Sequence, residues 1–170
     1  MEIILRPVGV VRIQYADEEV RNSDDGVPGV IEVYDEFKGG LDGIEGFSHL
    51  IVIAYLHKVS EEQKKVLRVR PRGLLKHGFR LDELPEVGVF CTDSPHRPSP
   101  IALTVVRLIK RESRLLYVEN LDLFDGTPVL DIKPYTPERC VEDGELKLPE
   151  WLSRLYEEIR VRGGGRKPKV

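Results

Sequence analysis

The chain has 170 residues and a formal net charge of −3 at pH 7, a length that suits a single domain with its own apolar core. That charge does not by itself indicate a nucleic-acid partner, and the longest apolar run, residues 50–56, is too short for a signal peptide or a membrane span. The two cysteines, Cys91 and Cys140, do not make a disulfide framework, so we expect a reducing cytoplasm.

Most segments predict β-strands. In chain order these are residues 3–13, 29–33, 48–57, 66–70, 87–91, 101–109, 115–119 and 129–135. The nearly continuous apolar run of 48–57 is typical of a strand buried on both faces. Residues 101–109 and 115–119 predict a hairpin across 110–114, and Pro7 predicts an edge position or a bulge in the first strand.

One amphipathic helix is predicted over residues 149–161. Its apolar residues recur at i, i+3, i+4 and i+7, namely Leu152, Leu155, Tyr156 and Ile159. Pro149 suits the first turn, and the glycines at 163–165 would end the helix.

These elements predict a mainly β fold, a single-domain, barrel-like (pseudobarrel) mixed sheet with one C-terminal helix. We expect the barrel domain to span 1–148, the helix of 149–162 to pack on it, and 163–170 to form a flexible basic tail. No glycine-rich phosphate loop lies between a strand and a helix, and alternating βα units are missing. A Rossmann fold is therefore not expected.

The composition has a further feature. Charged residues make up 32% of the chain, above the typical quarter, while Asn, Gln and Cys are scarce. This pattern favours a thermophilic source.

The most informative loop is 91–100, where three prolines in six residues stiffen a segment that carries Ser94, His96 and Arg97. Binding chemistry concentrates on loops carried by a rigid scaffold, although a stiff charged connector is the plainer interpretation. Ser94 and His96 also suggest a hydrolase, but Pro95 and the lack of a nucleophile elbow weigh against it. Cys91 and His96 lack partners at ligand spacing, so no metal is expected.

Residues 64–80 carry seven Lys and Arg and no acid. Arg68, Arg70 and Arg72 alternate and would line one face of an extended segment. With Lys76 they are candidates for binding RNA phosphates. A solvated edge strand protected by charge is an equally good interpretation.

A second polar cluster lies at 122–135, where Asp125-Gly126-Thr127 precedes a proline and predicts a turn. Asp125 could simply make an Asx-turn, and Asp131 could pair with Lys133. The functional alternative is a pocket for a cation or a ribose. His57 and Lys58, at the end of the buried strand, are a third candidate, although a strand-end histidine is more often a polar cap.

Three blocks, residues 46–50, 94–101 and 125–135, together with the opening 7–12, resemble the TsaA-like (TrmO) family, and the resemblance covers about residues 4–137. Members of this family are S-adenosylmethionine-dependent methyltransferases with a barrel-like fold distinct from the Rossmann type, and the resemblance implies the same for this chain. They methylate the exocyclic nitrogen of threonylcarbamoyladenosine beside the tRNA anticodon. They are homodimers with the cofactor near the subunit interface.

The resemblance also implies roles for individual residues. The cofactor-binding positions would be Asn22, Ser23, His57, Lys58, Asp93, Leu103, Phe124, Asp125, Gly126 and Thr127. His96 and Arg97 match the core of the motif. The proton could be taken by His96, Asp93 or Asp131, and the aromatic candidates for holding the sulfonium are Phe124, Tyr135 and Tyr15.

The chain departs from the family pattern at three places. Asp93 stands where the family has Arg in Thr-Arg-Ser-Pro, Ser99 and Ala102 replace the Asn and Gly of Arg-Pro-Asn-Pro-Ile-Gly, and residues 20–22 read Val-Arg-Asn instead of Pro-Arg-Gln. The charge reversal at Asp93 would repel an acidic group. A different RNA or small-molecule substrate, or a non-catalytic cofactor-binding protein, are therefore the alternatives.

Overall fold

The computed structural model describes residues 3–142 and 144–162. The chain divides into two compact units, Met1–Val59 with Pro100–Tyr135 and Ser60–Ser99 with Thr136–Val170. Residues 60–99, which lie within the predicted domain of 1–148, add no strand to the barrel. The predicted tail, 163–170, lies outside the described residues.

Eight strands and three α-helices are described. The strands are β1 Gly9–Arg12, β2 Val27–Val33, β3 His49–Tyr55, β4 Arg68–Val69, β5 Val87–Gly88, β6 Ile101–Glu112, β7 Leu115–Leu121 and β8 Pro128–Pro134. The helices are α1 Asp17–Asn22, α2 Glu61–Lys64 and α3 Glu150–Val161. Short 3₁₀ segments lie at Asp35–Leu41, Arg72–His77, Leu81–Glu83, Val89–Cys91 and Pro137–Arg139.

The first unit is a closed barrel with the strand order β1-β2-β7-β6-β3-β8. The mainly β, barrel-like and non-Rossmann prediction is confirmed. One detail differs, because every strand pairing in the barrel is antiparallel rather than mixed. Residues 3–8 precede β1, so Pro7 lies before the first strand and not within it.

Alternation along the strands fills the barrel. On β3, Leu50, Val52 and Ala54 are buried in the core, whereas Ile53 and Tyr55 are only partly buried. The expected burial of this strand on both faces is therefore corrected over its second half. The predicted β6–β7 hairpin forms, with a longer β6 and a tight turn at Ser113, whose φ is 57°.

One end of the barrel collects three connections. The strands β1, β3 and β7 end there, and β2, β6 and β8 begin there, since Val27 pairs with Leu121 and Tyr55 with Ile101. We call this end the α1 rim, formed by the connections 13–26, 56–59 and 122–127. Antiparallel pairing thus brings together segments that are at least 30 residues apart in the chain.

The second unit has its own core. Leu155 and Ile159 of α3 pack with Leu74, Phe79 and Leu84. The predicted helix is confirmed in position, and its buried face packs on residues within the predicted domain of 1–148 that lie outside the barrel strands. Of the predicted strands 66–70 and 87–91, only the two-residue β4 and β5 form. In the described part of the chain, no helix combines the length and the apolarity needed to cross a bilayer.

Candidate functional site

The α1 rim holds most of the predicted cofactor residues of the first unit. Asn22 and Ser23 end α1, His57 and Lys58 follow β3, and the turn of 124–127 joins β7 to β8. His57 is exposed, which is compatible both with a polar cap of the strand and with a ligand contact. The three segments were predicted separately, and the barrel places them at the same end.

Backbone hydrogen bonds fix the turn of 124–127 against β1. The Gly126 amide donates to the carbonyl of Val11 (2.9 Å), and the Val11 amide donates to the carbonyl of Thr127 (2.9 Å). Thr127 is 1% exposed, and Gly126 has a φ of 75°, a conformation that favours glycine. The glycine and the threonine therefore have structural reasons to occupy these positions.

Asp125 does not make a local Asx-turn. Its Oδ1 accepts from the amide of Ile13 at 3.0 Å and so holds the chain that leaves β1 for α1. This contact links residues 112 positions apart in the sequence. Asp125 therefore fastens two of the three rim connections to each other.

Phe124 is contacted by two cations. The Cζ of Arg21 lies 5.2 Å from the ring centroid, and the Nζ of Lys58 lies 5.0 Å from it. Lys58 Nζ also contacts both carboxylate oxygens of Asp17, at 2.7 Å and 2.6 Å. Because like charges repel, a ring that already attracts two cations is a poor receptor for a third, which argues against Phe124 as the group that holds a sulfonium.

The helix α1 was missed in the sequence prediction, and with it Asp17. Its first turn is acidic, and Glu19 Oε2 accepts from the amide of Ala16 at 2.7 Å, as in a capping box. An acidic turn followed by Val20 and Arg21 is the sequence signal that could have found it. Ser23 closes the next turn, since its hydroxyl donates to the carbonyl of Gly26 at 2.7 Å.

Leu103 and Asp131 lie on the outer wall of the barrel and not on the α1 rim. Both stand opposite Ile53 in the β-sheet register, and Leu103 is 65% exposed. Asp131 forms an ion pair with Lys133 (2.7 Å) and accepts from the amide of Ile132 (2.9 Å). The simpler interpretation of Asp131, an ion pair with Lys133, is confirmed.

Residues 91–99 of the loop belong to the second unit. Hydroxyl groups of this loop form hydrogen bonds with its backbone. Thr92 is buried; its hydroxyl donates to the carbonyl of Val89 (3.1 Å) and accepts from the amide of Ser94 (3.2 Å). The Ser94 hydroxyl accepts from the amide of His96 (3.3 Å), and Arg97 Nη2 donates to the carbonyl of Val89 (3.4 Å). Ser94 therefore orders the loop, a structural role that further weakens the hydrolase alternative.

Asp93, in the same loop, lies close to α3. Burial and the negative charge of Asp93 together raise the pKa of Tyr156. The carboxylate of Asp93 is therefore near enough to the phenol of Tyr156 on α3 for the two to interact.

The predicted basic row is not continuous. The extended segment stops at Val69, and Arg72 begins a 3₁₀ helix, so the predicted face of alternating arginines is wrong. Arg68 pairs with Glu86 at 2.9 Å, and Arg70 donates to the carbonyl of Leu84 and lies 4.0 Å from Glu86. Arg72 and Lys76 remain exposed on either side of the buried Leu74.

At the end of the barrel opposite the α1 rim lies a cavity of about 150 Å³, bordered by Gly40, Phe47 and Pro134. This volume is below the roughly 300 Å³ at which pockets for drug-sized ligands begin. It is therefore small for a ligand of that size.

Residues 20–139 match the family model described as the tRNA-methyltransferase O N-terminal domain, which is more than half of the 170-residue chain. The chain belongs to the TrmO family. The predicted resemblance is confirmed. The matched range contains the connections 56–59 and 122–127, the second half of the connection 13–26, and the loop of 91–100.

Similar curated proteins have names that refer to S-adenosyl-L-methionine binding or to tRNA methylation. An Archaeoglobus fulgidus protein named an S-adenosyl-L-methionine-binding protein is 40% identical over 153 residues, covering 86% of this chain and 100% of the relative. A Pyrococcus abyssi protein, named a probable S-adenosyl-L-methionine-binding protein, is 37% identical over 145 residues, covering 83% and 72%. A mouse tRNA (adenine(37)-N6)-methyltransferase is 40% identical over 103 residues, covering 61% of this chain and 22% of the mouse protein.

Solved TrmO structures share the fold. One crystal structure of TrmO aligns with a TM-score of 0.64 at 29% identity, covering 86% of this chain and 64% of that chain. TrmO from Pseudomonas aeruginosa aligns with a TM-score of 0.59 at 29% identity, covering 85% and 61%. The chain therefore spans somewhat less than two thirds of these solved TrmO chains.

Proposed function

We propose that this protein is an S-adenosyl-L-methionine-dependent tRNA methyltransferase that acts on the exocyclic nitrogen of threonylcarbamoyladenosine beside the anticodon. The observation that carries the proposal is the α1 rim, where Asn22, Lys58 and Phe124 from three chain-distant connections meet at one end of the barrel. Membership of the TrmO family supports the class of reaction, and the names of the archaeal relatives support the cofactor.

The charges of the α1 rim fit such a cofactor. Arg21 is exposed and suits the cofactor's carboxylate. Asp125, held in place by the amide of Ile13, suits its amino group or ribose hydroxyls. Of the aromatic candidates, Tyr15 lies in the connection between β1 and α1, whereas Tyr135 follows β8 at the opposite end of the barrel. Tyr15 is therefore the better candidate to face the sulfonium.

When bound, S-adenosyl-L-methionine supplies an electrophilic methyl group. The protein's own tasks are to align the accepting nitrogen and to manage its proton. His96, Asp93 and Asp131 remain the groups proposed to take that proton. Asp131 already forms an ion pair with Lys133, which leaves His96 and Asp93 as the better candidates. Arg97 would face the cofactor or the RNA.

An anticodon loop presents unpaired bases that can be splayed into a pocket. Arg72 and Lys76, both exposed, are proposed to contact its phosphates, with Arg68 and Arg70 in a supporting role through Glu86. We also place the protein in the cytoplasm, where its tRNA substrate would be found. The thermophilic source stays a prediction from composition.

A homodimer is part of the proposal. Three aliphatic residues of β6 are exposed, Ile101 at 39%, Leu103 at 65% and Ile109 at 48%. Burial of such residues against a second copy would remove apolar surface from water. Because β6 begins at the α1 rim two residues before Leu103, an interface on β6 would lie close to the proposed cofactor site.

The deciding experiment is mass spectrometry of tRNA nucleosides after incubation with the protein and S-adenosyl-L-methionine, using tRNA with and without the threonylcarbamoyl group. We expect a methylated nucleoside only from the threonylcarbamoylated tRNA. Tight cofactor binding without any methylated product on that tRNA would overturn the proposed reaction.

A second candidate is a cofactor-binding protein without turnover, or a methyltransferase with another substrate. Asp93 favours it, because a carboxylate replaces the family's arginine in the central motif. The variant Asp93→Arg separates the candidates. If substrate choice depends on this position, the variant gains activity on threonylcarbamoylated tRNA; if Asp93 acts only in cofactor binding, the variant changes cofactor affinity without gaining that activity.

A further inference from the structure

Asp17 connects the helix α1 to the rest of the α1 rim. Its Oδ1 and Oδ2 lie 2.7 Å and 2.6 Å from Lys58 Nζ, and the side chains are 34% and 46% exposed. Lys58 follows β3, whereas Asp17 is the first residue of α1. This ion pair therefore joins two of the three connections of the rim.

Two cations of the α1 rim contact the ring of Phe124, one from α1 and one from the residue that Asp17 binds. Arg21, one turn after Asp17, places its Cζ 5.2 Å from the centroid of Phe124, and Lys58 Nζ lies 5.0 Å from that centroid. Asp17, Lys58, Phe124 and Arg21 thus form a closed set of contacts between α1 and the turn of 124–127. Asp17 is the one acidic member of the set and offsets the repulsion between its two cations.

A helix as short as α1 depends on such contacts. It has six residues, and isolated helices shorter than about 12 residues are marginal in water. Its local support is the Glu19 carboxylate on the Ala16 amide, and its one buried side chain is Val20. The placement of Asn22 and Ser23, at the other end of the helix, therefore depends on tertiary contacts such as the Asp17–Lys58 pair.

We propose that Asp17 is a positioning residue for the cofactor site. By fixing the ammonium group of Lys58 beside Phe124, it holds α1 so that the end of the helix and the turn of 124–127 face one ligand. Asp17 acts through Lys58 and does not itself contact the cofactor. The inference rests on the proposed function in one respect only, the identity of the ligand.

The variant Asp17→Asn tests the inference, with Glu18→Gln as the matched control, since Glu18 is an exposed carboxylate in the same helical turn. Both variants remove one negative charge from the start of α1. Calorimetry with S-adenosyl-L-methionine should show about fivefold weaker binding for Asp17→Asn, as expected for a partly exposed ion pair, and unchanged binding for Glu18→Gln. The maximal methylation rate at saturating cofactor should stay within about twofold for both variants.

A double-mutant cycle separates positioning from a merely structural role. If Asp17 acts through Lys58, Asp17→Asn should have no further effect on cofactor affinity in a Lys58→Met background. Equal losses in both backgrounds would overturn the inference, as would equal affinities of Asp17→Asn and Glu18→Gln.

A ligand-free measurement keeps the inference separate from the proposed function. Hydrogen exchange at the amides of Ser23 and Gly126, bonded to Glu19 and Val11, should be faster in Asp17→Asn than in Glu18→Gln. If the wild-type protein did not bind S-adenosyl-L-methionine, the proposed cofactor would be wrong, and faster exchange would still support the positioning role. Unchanged exchange would overturn the positioning role, whatever the ligand.

Discussion

At the residue scale, single side chains connect strands that the sequence cannot place side by side. Glu32 on β2 accepts from Arg12 Nε of β1 at 2.8 Å and lies 2.7 Å from Arg114 Nη1 of the β6–β7 turn. The hydrogen bonds from Arg12 and then Arg114 lower the pKa of Glu32 below its usual 4.5. A group whose pKa is lowered by folding stabilises the protein above its unfolded pKa, and the stabilisation is lost as the pH falls through the folded pKa.

We therefore expect Glu32→Gln to destabilise the protein by about 1 kcal/mol at pH 7, a value reduced for partial solvent exposure. The difference from wild type should shrink as the pH falls below 4.5, the usual value for this carboxyl. Urea denaturation at several pH values measures it. Glu119→Gln, which removes a carboxylate paired with Arg107 at 3.1 Å, is the control and should cost less, because that carboxylate is 47% exposed. A Glu32 difference that persists at low pH would contradict this account.

Individual residues of the site could be predicted from the sequence, but their hydrogen-bond partners could not. The residues of the turn at 125–127 were predicted from their Asp-Gly-Thr pattern and from the family resemblance. The partner of Asp125, the amide of Ile13 112 residues away, could not be predicted, because it depends on strand closure. Asp131 was given both a catalytic and a structural interpretation, and the Lys133 ion pair confirms the structural one.

At the element scale, the six barrel strands were predicted because apolar and β-branched residues mark them in the sequence. The predicted strands 66–70 and 87–91 were wrong in length, since only two residues of each form a strand. The helix α1 was missed because its six residues give fewer than two turns of periodicity. The segment of 64–80 was misjudged for another reason. Its alternating arginines fit a strand. Arg72, however, stands between Pro71 and Gly73, and a 3₁₀ helix begins at this point instead.

This change in structure alters which cations are expected to meet RNA. We expect Arg72→Ala with Lys76→Ala to lower the slope of log affinity for tRNA against log salt by roughly one to two units, as lost phosphate contacts should. Arg68→Ala is the control, because Arg68 is paired with Glu86 at 2.9 Å and should change the slope less. Filter binding across a salt series measures both. An unchanged slope in the double variant would remove this segment from the RNA interface.

At the scale of the whole molecule, the sequence predicted the barrel but not the division into two units. The insertion of 60–99 between β3 and β6 was interpreted as further barrel strands, yet its apolar residues Leu74, Phe79 and Leu84 form a core with α3. Pairing between a segment and a helix about 70 residues later is a tertiary property. No local pattern in the segment of 60–99 indicates it.

The proposed dimer is tested at this scale. Light scattering should give twice the 19.4 kDa of one chain, and Leu103→Glu should give the single-chain mass, because a charge placed in an apolar interface is costly. Leu67→Glu is the matched control, since Leu67 is 61% exposed and Leu103 is 65% exposed. A single-chain mass for the wild-type protein would contradict the dimer.

The central claim is that the α1 rim holds the cofactor, and an NMR titration of the isotope-labelled protein with S-adenosyl-L-methionine tests it most directly. The account predicts the largest amide shifts at Asn22, Ser23, Lys58 and the turn of 124–127, where the three connections of the rim meet. Shifts confined to the cavity near Gly40 and Phe47 at the opposite end of the barrel, or no shifts at all, would contradict it.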